Sequence, residues 1–200
     1  DIRNIKVKTL SNNIRNNDFH IGKHLIEKNT LLIKGELFDV EPLLKSIYKS
    51  GDKKIFSKDF NNEIKANLDK IITGTNDNVS NFGMIASIKK GSYNKLSLKG
   101  NFSENEIVEM SIYQVDGNKK TLQVISDRAR PFVMNFDFIK GFEGGKLEYE
   151  SVISKESSHS NLLISDFKVS KVPALAQLLT LASLQGIADT LSGEGIRFDS

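Results

Sequence analysis

The chain has 200 residues, 28 Lys and Arg against 25 Asp and Glu, and a formal net charge of +3. That balance is too small to imply a nucleic-acid partner. The absence of cysteine excludes disulfides and cysteine-based metal sites. With 38% hydrophobic and 26% charged residues the chain is folded rather than disordered. It opens on Asp1 without a signal peptide, so it is expected to be an excised portion of a longer protein, with any membrane anchor elsewhere.

Apolar and polar residues alternate with period two along most of the chain, the mark of strands with one dry face and one wet face. Short or less regular rows occur at Ile5–Val7, Phe19–Ile26 and Leu31–Phe38. A helix is predicted from Glu41 to Lys49, with Pro42 in its first turn. Clear rows follow at Ile64, Ala66, Leu68 and Ile72, then at Phe82, Met84, Ala86 and Ile88. Leu96, Leu98 and Phe102 form the next, and Val108, Met110 and Ile112 another. Leu122–Ile125, Leu147–Tyr149–Ile153 and Leu162–Val169 complete the series. A second helix is predicted between Asp127 and Gly141, despite Pro131.

Turn-forming clusters separate the rows: Gly74-Thr75-Asn76-Asp77, Gly91-Ser92, Asp116-Gly117-Asn118 and Gly144-Gly145. Asp116-Gly117 between two alternating runs signals a hairpin. The lysine pairs at 53–54, 89–90 and 119–120 lie beside these clusters and read as solvated turn residues. The expected fold is mainly β, an antiparallel meander. Helices are too few to cover its apolar face, which must meet another sheet, curl into a barrel, or form a ligand-filled trough.

The long apolar segment comes last. Pro173 can open a helix and Gly193 can stop it, giving a predicted helix over 173–191. Leu175, Leu178, Leu179 and Ala182 form one apolar stripe, and Leu181, Leu184, Ala188 and Leu191 a second on the opposite side. Gln177, Thr180, Ser183, Gln185 and Gly186 interrupt it too often for a membrane span, and it lacks the cations of an interfacial helix. It reads either as a core helix or as one plugging an apolar trough.

No catalytic or metal-binding set stands out. His20 and His24 share a face near Glu27, but without HExxH spacing they read as solvated. His159 sits in a serine-rich loop without an orienting acid. Gly144-Gly145-Lys146 lacks the spacing of a phosphate-binding loop and reads as a tight turn. Gly193-Glu194-Gly195 reads as a helix stop leading into a strand, and Arg197 as a solvated or ion-paired arginine.

Asp166-Phe167-Lys168-Val169 followed by Val172-Pro173-Ala174-Leu175-Ala176-Gln177-Leu178-Leu179 resembles a stretch of AsmA-like C-terminal regions. The likeness continues through Leu181-Ala182-Ser183-Leu184-Gln185-Gly186-Ile187 and Leu191-Ser192-Gly193-Glu194-Gly195-Ile196-Arg197-Phe198-Asp199. Upstream, Gly144-Gly145-Lys146-Leu147 and the strand Leu122 to Asp127 are similar too, with Ala129 where the family usually has Gly and Val172 where it has Ala. The resemblance divides the chain into a β-groove repeat region, 1–126, and an AsmA-like signature region, 127–200.

It implies a long, twisted, half-open sheet with an apolar interior, in proteins of the YhdP and TamB types. These resemble eukaryotic bridge-like lipid transfer proteins, are anchored in the inner membrane of Gram-negative bacteria and extend into the periplasm. The implied function is non-enzymatic: conduction of phospholipid acyl chains toward the outer membrane, with no cofactor, no metal and no nucleic-acid partner. The alternative is a non-conducting scaffold that binds envelope proteins during outer-membrane assembly.

The expected groove residues are Ile64, Leu68, Phe82, Met84, Ile88, Leu96, Leu98, Phe102, Val108, Met110, Ile112, Leu147 and Tyr149. Leu175, Leu178, Leu179, Leu181 and Leu184 are the expected plug. Tails lying on such a track avoid a transfer cost of about 0.8 kcal/mol per methylene.

Overall fold

The structure, a computed structural model, describes residues 4–11, 14–24, 29–43, 56–74, 76–116, 119–133, 140–154, 157–171 and 196–198. Its strands are β1 (Asn4–Ser11), β2 (Ile14–Lys23), β3 (Thr30–Asp39), β4 (Glu63–Ile72), β5 (Val79–Lys89) and β6 (Ser92–Ser103). They continue as β7 (Glu106–Asp116), β8 (Lys119–Ser126), β9 (Lys140–Ile153), β10 (Ser158–Lys171) and β11 (Ile196–Phe198). All belong to one sheet whose spatial order is the chain order, with β1 and β11 at its two open edges. The sheet is therefore not closed into a barrel, and no second sheet packs on it among the described residues.

Each alternating row of the sequence became a strand, because alternation is what a one-sided sheet demands. One pairing departs from the expected antiparallel meander: β3 and β4 are parallel, with Thr30 opposite Glu63 and Asp39 opposite Ile72. A parallel pair cannot be joined by a tight turn, so the chain crosses from one end of the strands to the other through residues 40–62. The crossover leaves in a helical turn at Glu41–Leu43; the rest of the helix predicted to Lys49 lies outside the described residues. Its two ends both pack on the apolar face. Val40 joins the cluster around Leu68 and Ile71, while Phe56 and Phe60 join the one around Ile64 and Leu96.

The crossover re-enters the sheet at what we call the near rim. Phe56 stacks on Phe60 at 4.8 Å and meets the Tyr93 ring edge-on at 5.7 Å. Lys90 and Gly91 turn the β5–β6 hairpin with φ of 51° and 70°, as a type I′ turn requires. Their amides donate to Asn61 Oδ1 at 2.8 Å and to the Phe60 carbonyl at 3.1 Å. A Cβ on Gly91 would run into the Ser57 carbonyl.

Gly144-Gly145 is not the tight turn expected from its sequence. Both residues lie inside β9, with φ of 67° and 84°, opposite a stretch of β10 where Asp166 also has positive φ (55°). Strand pairing continues on both sides, so the glycines kink a long ribbon rather than end it. The kink sets Phe142 and Phe167 in a stack at 5.1 Å, and Phe142 packs with Val124, Ala129, Val133 and Leu147. Of the second predicted helix the described residues include one turn, Arg130–Val133; 134–139 lie outside them, and β9 begins at Lys140. The predicted helix at 173–191, with its plug leucines, lies outside the described residues, as does the turn at 117–118.

Candidate functional site: the apolar face of the sheet

Strand register converts the separate apolar rows into lines that run across the sheet. The central line passes through Ile5, Ile21, Ile33, Ala66, Met84, Leu98, Met110, Val124, Tyr149 and Leu162, one residue from each of ten consecutive strands. No position in that line is charged. At about 4.8 Å per strand it is roughly 43 Å long.

A second line, toward the far rim, runs Val7, Phe19, Gly35, Leu68 and Phe82, then past a bulge at Asn81 to Gly100, Val108, Ser126, Leu147 and Ile164. A third, toward the near rim, runs Lys23, Leu31, Ile64, Ala86, Leu96, Ile112, Leu122, Ser151 and Ser160. Beyond it lie Ile88 paired with Tyr93, and Gln114, Lys120, Ile153 and Ser158 in a line of their own.

The thirteen expected groove residues fall as follows. Met84, Leu98, Met110 and Tyr149 stand in the central line; Leu68, Phe82, Val108 and Leu147 in the second; Ile64, Leu96 and Ile112 in the third. Ile88 sits at the near rim, and Phe102 at the far rim beneath the Arg128 guanidinium, 5.5 Å from its ring centroid. Residues overlooked in the sequence complete the lines: Ile5, Ile21 and Ile33 on one side, Leu122 and Val124 on the other. Their rows are shorter or less regular in the sequence. Lys120, which the sequence presents as a solvated turn residue, and Lys23 each continue their strand's alternation.

Burial differs along the face. Leu68 and Ile88 are fully buried, whereas Met84, Leu98, Met110, Ile112 and Tyr149 remain half-buried. The opposite face carries Lys65, Asn67, Lys95, Ser97, Lys99 and Glu109. Three hydroxyls add polarity on the apolar side of β9 and β10: Tyr149 Oη donates to Ser160 Oγ (3.1 Å), which donates to Ser151 Oγ (2.9 Å). Burial also pushes the Tyr93 phenol above its ordinary pKa.

The far rim is closed by the segment after β8. Asp127 accepts from the Ile107 amide at 2.9 Å, and the Ala129 amide donates to the Gly145 carbonyl at 2.7 Å. Arg128 reaches Asp77 Oδ1 in the β4–β5 connection at 3.1 Å and Glu106 Oε2 at the start of β7 at 2.5 Å. Arg130 Nε lies 3.6 Å from Asp77 Oδ2, an ion pair without a hydrogen bond. Hydrogen bonds from Arg128, and one from Ser103 at 2.7 Å, hold the Glu106 carboxyl below its usual range; the hydrogen bonds to Glu106 and Asp77 raise Arg128. So pinned, the segment lays Phe132 against both neighbouring clusters and buries Val133.

Among the described residues no group of three or more His, Asp or Glu could hold a metal ion, and no helix is long and apolar enough to cross a membrane. His20 is exposed on β2. No protein-family model matches the chain, and no curated protein or solved structure matches it.

Proposed function

We propose that this chain is a periplasmic portion of an AsmA-like, inner-membrane-anchored protein of the YhdP or TamB type. In this reading its apolar face is a stretch of half-open groove that carries phospholipid acyl chains between the inner and outer membranes of a Gram-negative envelope. The observation that carries the reading is the central line from Ile5 to Leu162, apolar on ten successive strands and half-buried at its middle. A dry core would be covered; this face has only the crossover ends and the 129–133 segment on it among the described residues. Tails that lie there shed water, while headgroups stay wet at the sheet margins, so no buried polar pocket is needed. The segment 173–191 would plug or gate the groove. No covalent chemistry is involved, and envelope proteins are the further partners.

A photoreactive residue at Leu98 or Met110 should crosslink to phospholipid in cells, while one at Ser97, exposed on the opposite face, should not. Native mass spectra should carry bound lipid. Lipid-free spectra together with no crosslink at Leu98 and Met110 would sink the reading and favour the scaffold.

A further inference from the structure

We propose that Lys120 holds the phosphate of a lipid headgroup at the near rim, so that each lipid lies along the strands with its tails pointing to the far rim. This rests on the groove reading. Across the three lines and the short one beyond them at the near rim, only Lys23 and Lys120 bear a formal charge; both are lysines, and both stand at the near-rim end of their strands. No carboxylate shares those lines. Lines whose only formal charges are cations at one margin complement an anionic amphiphile in one orientation.

The far rim offers no equivalent, since Arg128 and Arg130 are committed to Asp77 and Glu106. Lys120 Nζ donates to the Tyr93 carbonyl at 2.7 Å, and no carboxylate among the described residues pairs with it. An ammonium has three donors, so two remain for phosphate oxygens, and the carbonyl fixes where they sit. Lengths agree as well. From Lys120 to Ser126 the strand covers about 20 Å, enough for a tail that fills half of a roughly 30 Å bilayer core. The tail end would then meet Phe132 and Val133, the apolar cover of the far rim.

The test compares two probes with identical tails, dioleoyl phosphatidylglycerol and dioleoylglycerol, titrated against the chain by native mass spectrometry. The unaltered chain should prefer the phospholipid by about tenfold, the scale of one charge-assisted contact. Lys120→Met, which keeps the stem and loses the charge, should erase that preference and leave diacylglycerol binding unchanged. Lys120→Arg should keep it, and Lys95→Met on the opposite face should not affect it. Equal binding of both probes by the unaltered chain, or a preference that survives in Lys120→Met, overturns the assignment of Lys120 and spares the groove. Binding of neither probe overturns the groove, and this assignment with it.

Discussion

The two rims of the sheet are fastened by different physics. At the near rim the crossover is held by main-chain hydrogen bonds to the β5–β6 hairpin and by the Phe56, Phe60 and Tyr93 rings. At the far rim the cover is held by ions, Arg128 bridging Asp77 and Glu106 with Arg130 behind. Ring packing and amide bonds do not respond to salt or mild acid; a partly exposed ion cluster does. One margin of the same face is therefore permanent, and the other is conditional.

The largest effect expected from breaking this contrast is at Gly91. Its φ of 70° and the Ser57 carbonyl beside it leave no room for a side chain, so Gly91→Ala should cost about 2–3 kcal/mol in chemical denaturation. Asp77→Ala should come next. It leaves Arg130 without its carboxylate, and with Arg128 about a third exposed the loss should be about 1–2 kcal/mol. Hydrogen exchange should accelerate at the Ala129 amide but not at the Gly91 amide. Asn61→Ala, which removes the acceptor for the Lys90 amide, should cost about 1 kcal/mol and show the reverse pattern of exchange.

The smallest effects are those of solution conditions. Raising salt to about 1 M, where the Debye length is about 3 Å, should speed exchange at Ala129 alone. Because the folded Glu106 pKa is depressed, its contribution is complete above the ordinary glutamate value of about 4.3 and is lost as pH falls through the depressed one. Glu106→Gln should flatten that acid limb; an unchanged limb would mean that another carboxylate governs it.

Much of this architecture was legible in the sequence because alternation is local. Leu96, Leu98 and Phe102 declare a strand with no reference to the rest of the chain, and ten such rows gave ten strands in order. Pairing is not local. Nothing in Thr30–Asp39 states that it lies parallel to Glu63–Ile72, since either direction puts its apolar residues on the same face. Gly144-Gly145 advertised positive φ correctly, but a turn and a kink require the same dihedrals, and only the continued pairing with β10 separates them. The Asp77–Arg128 contact joins residues 51 apart and had no sequence signal. Lys120 did have one: it keeps step with Leu122 and Val124, but its neighbour Lys119 and the adjacent turn cluster made it read as solvent-facing.

The parallel seam between β3 and β4 bears on how the chain acquires its structure. From β4 to β8 short connections join strand to strand, the hairpin after Lys89 closing on Ser92, and the β8–β9 pairing then closes at Ser126 and Leu147 around the 127–133 segment. The seam instead joins residues 33 positions apart, Thr30 to Glu63, and so carries a larger loop-closure penalty. Contacts of that separation are slow to form, whereas successive hairpins zip quickly. β1–β3 should therefore assemble as one cooperative unit and β4–β10 as another, with docking across the seam as the late event. Pulse-labelling during refolding should find amides along the Leu31–Ile64 register protected last.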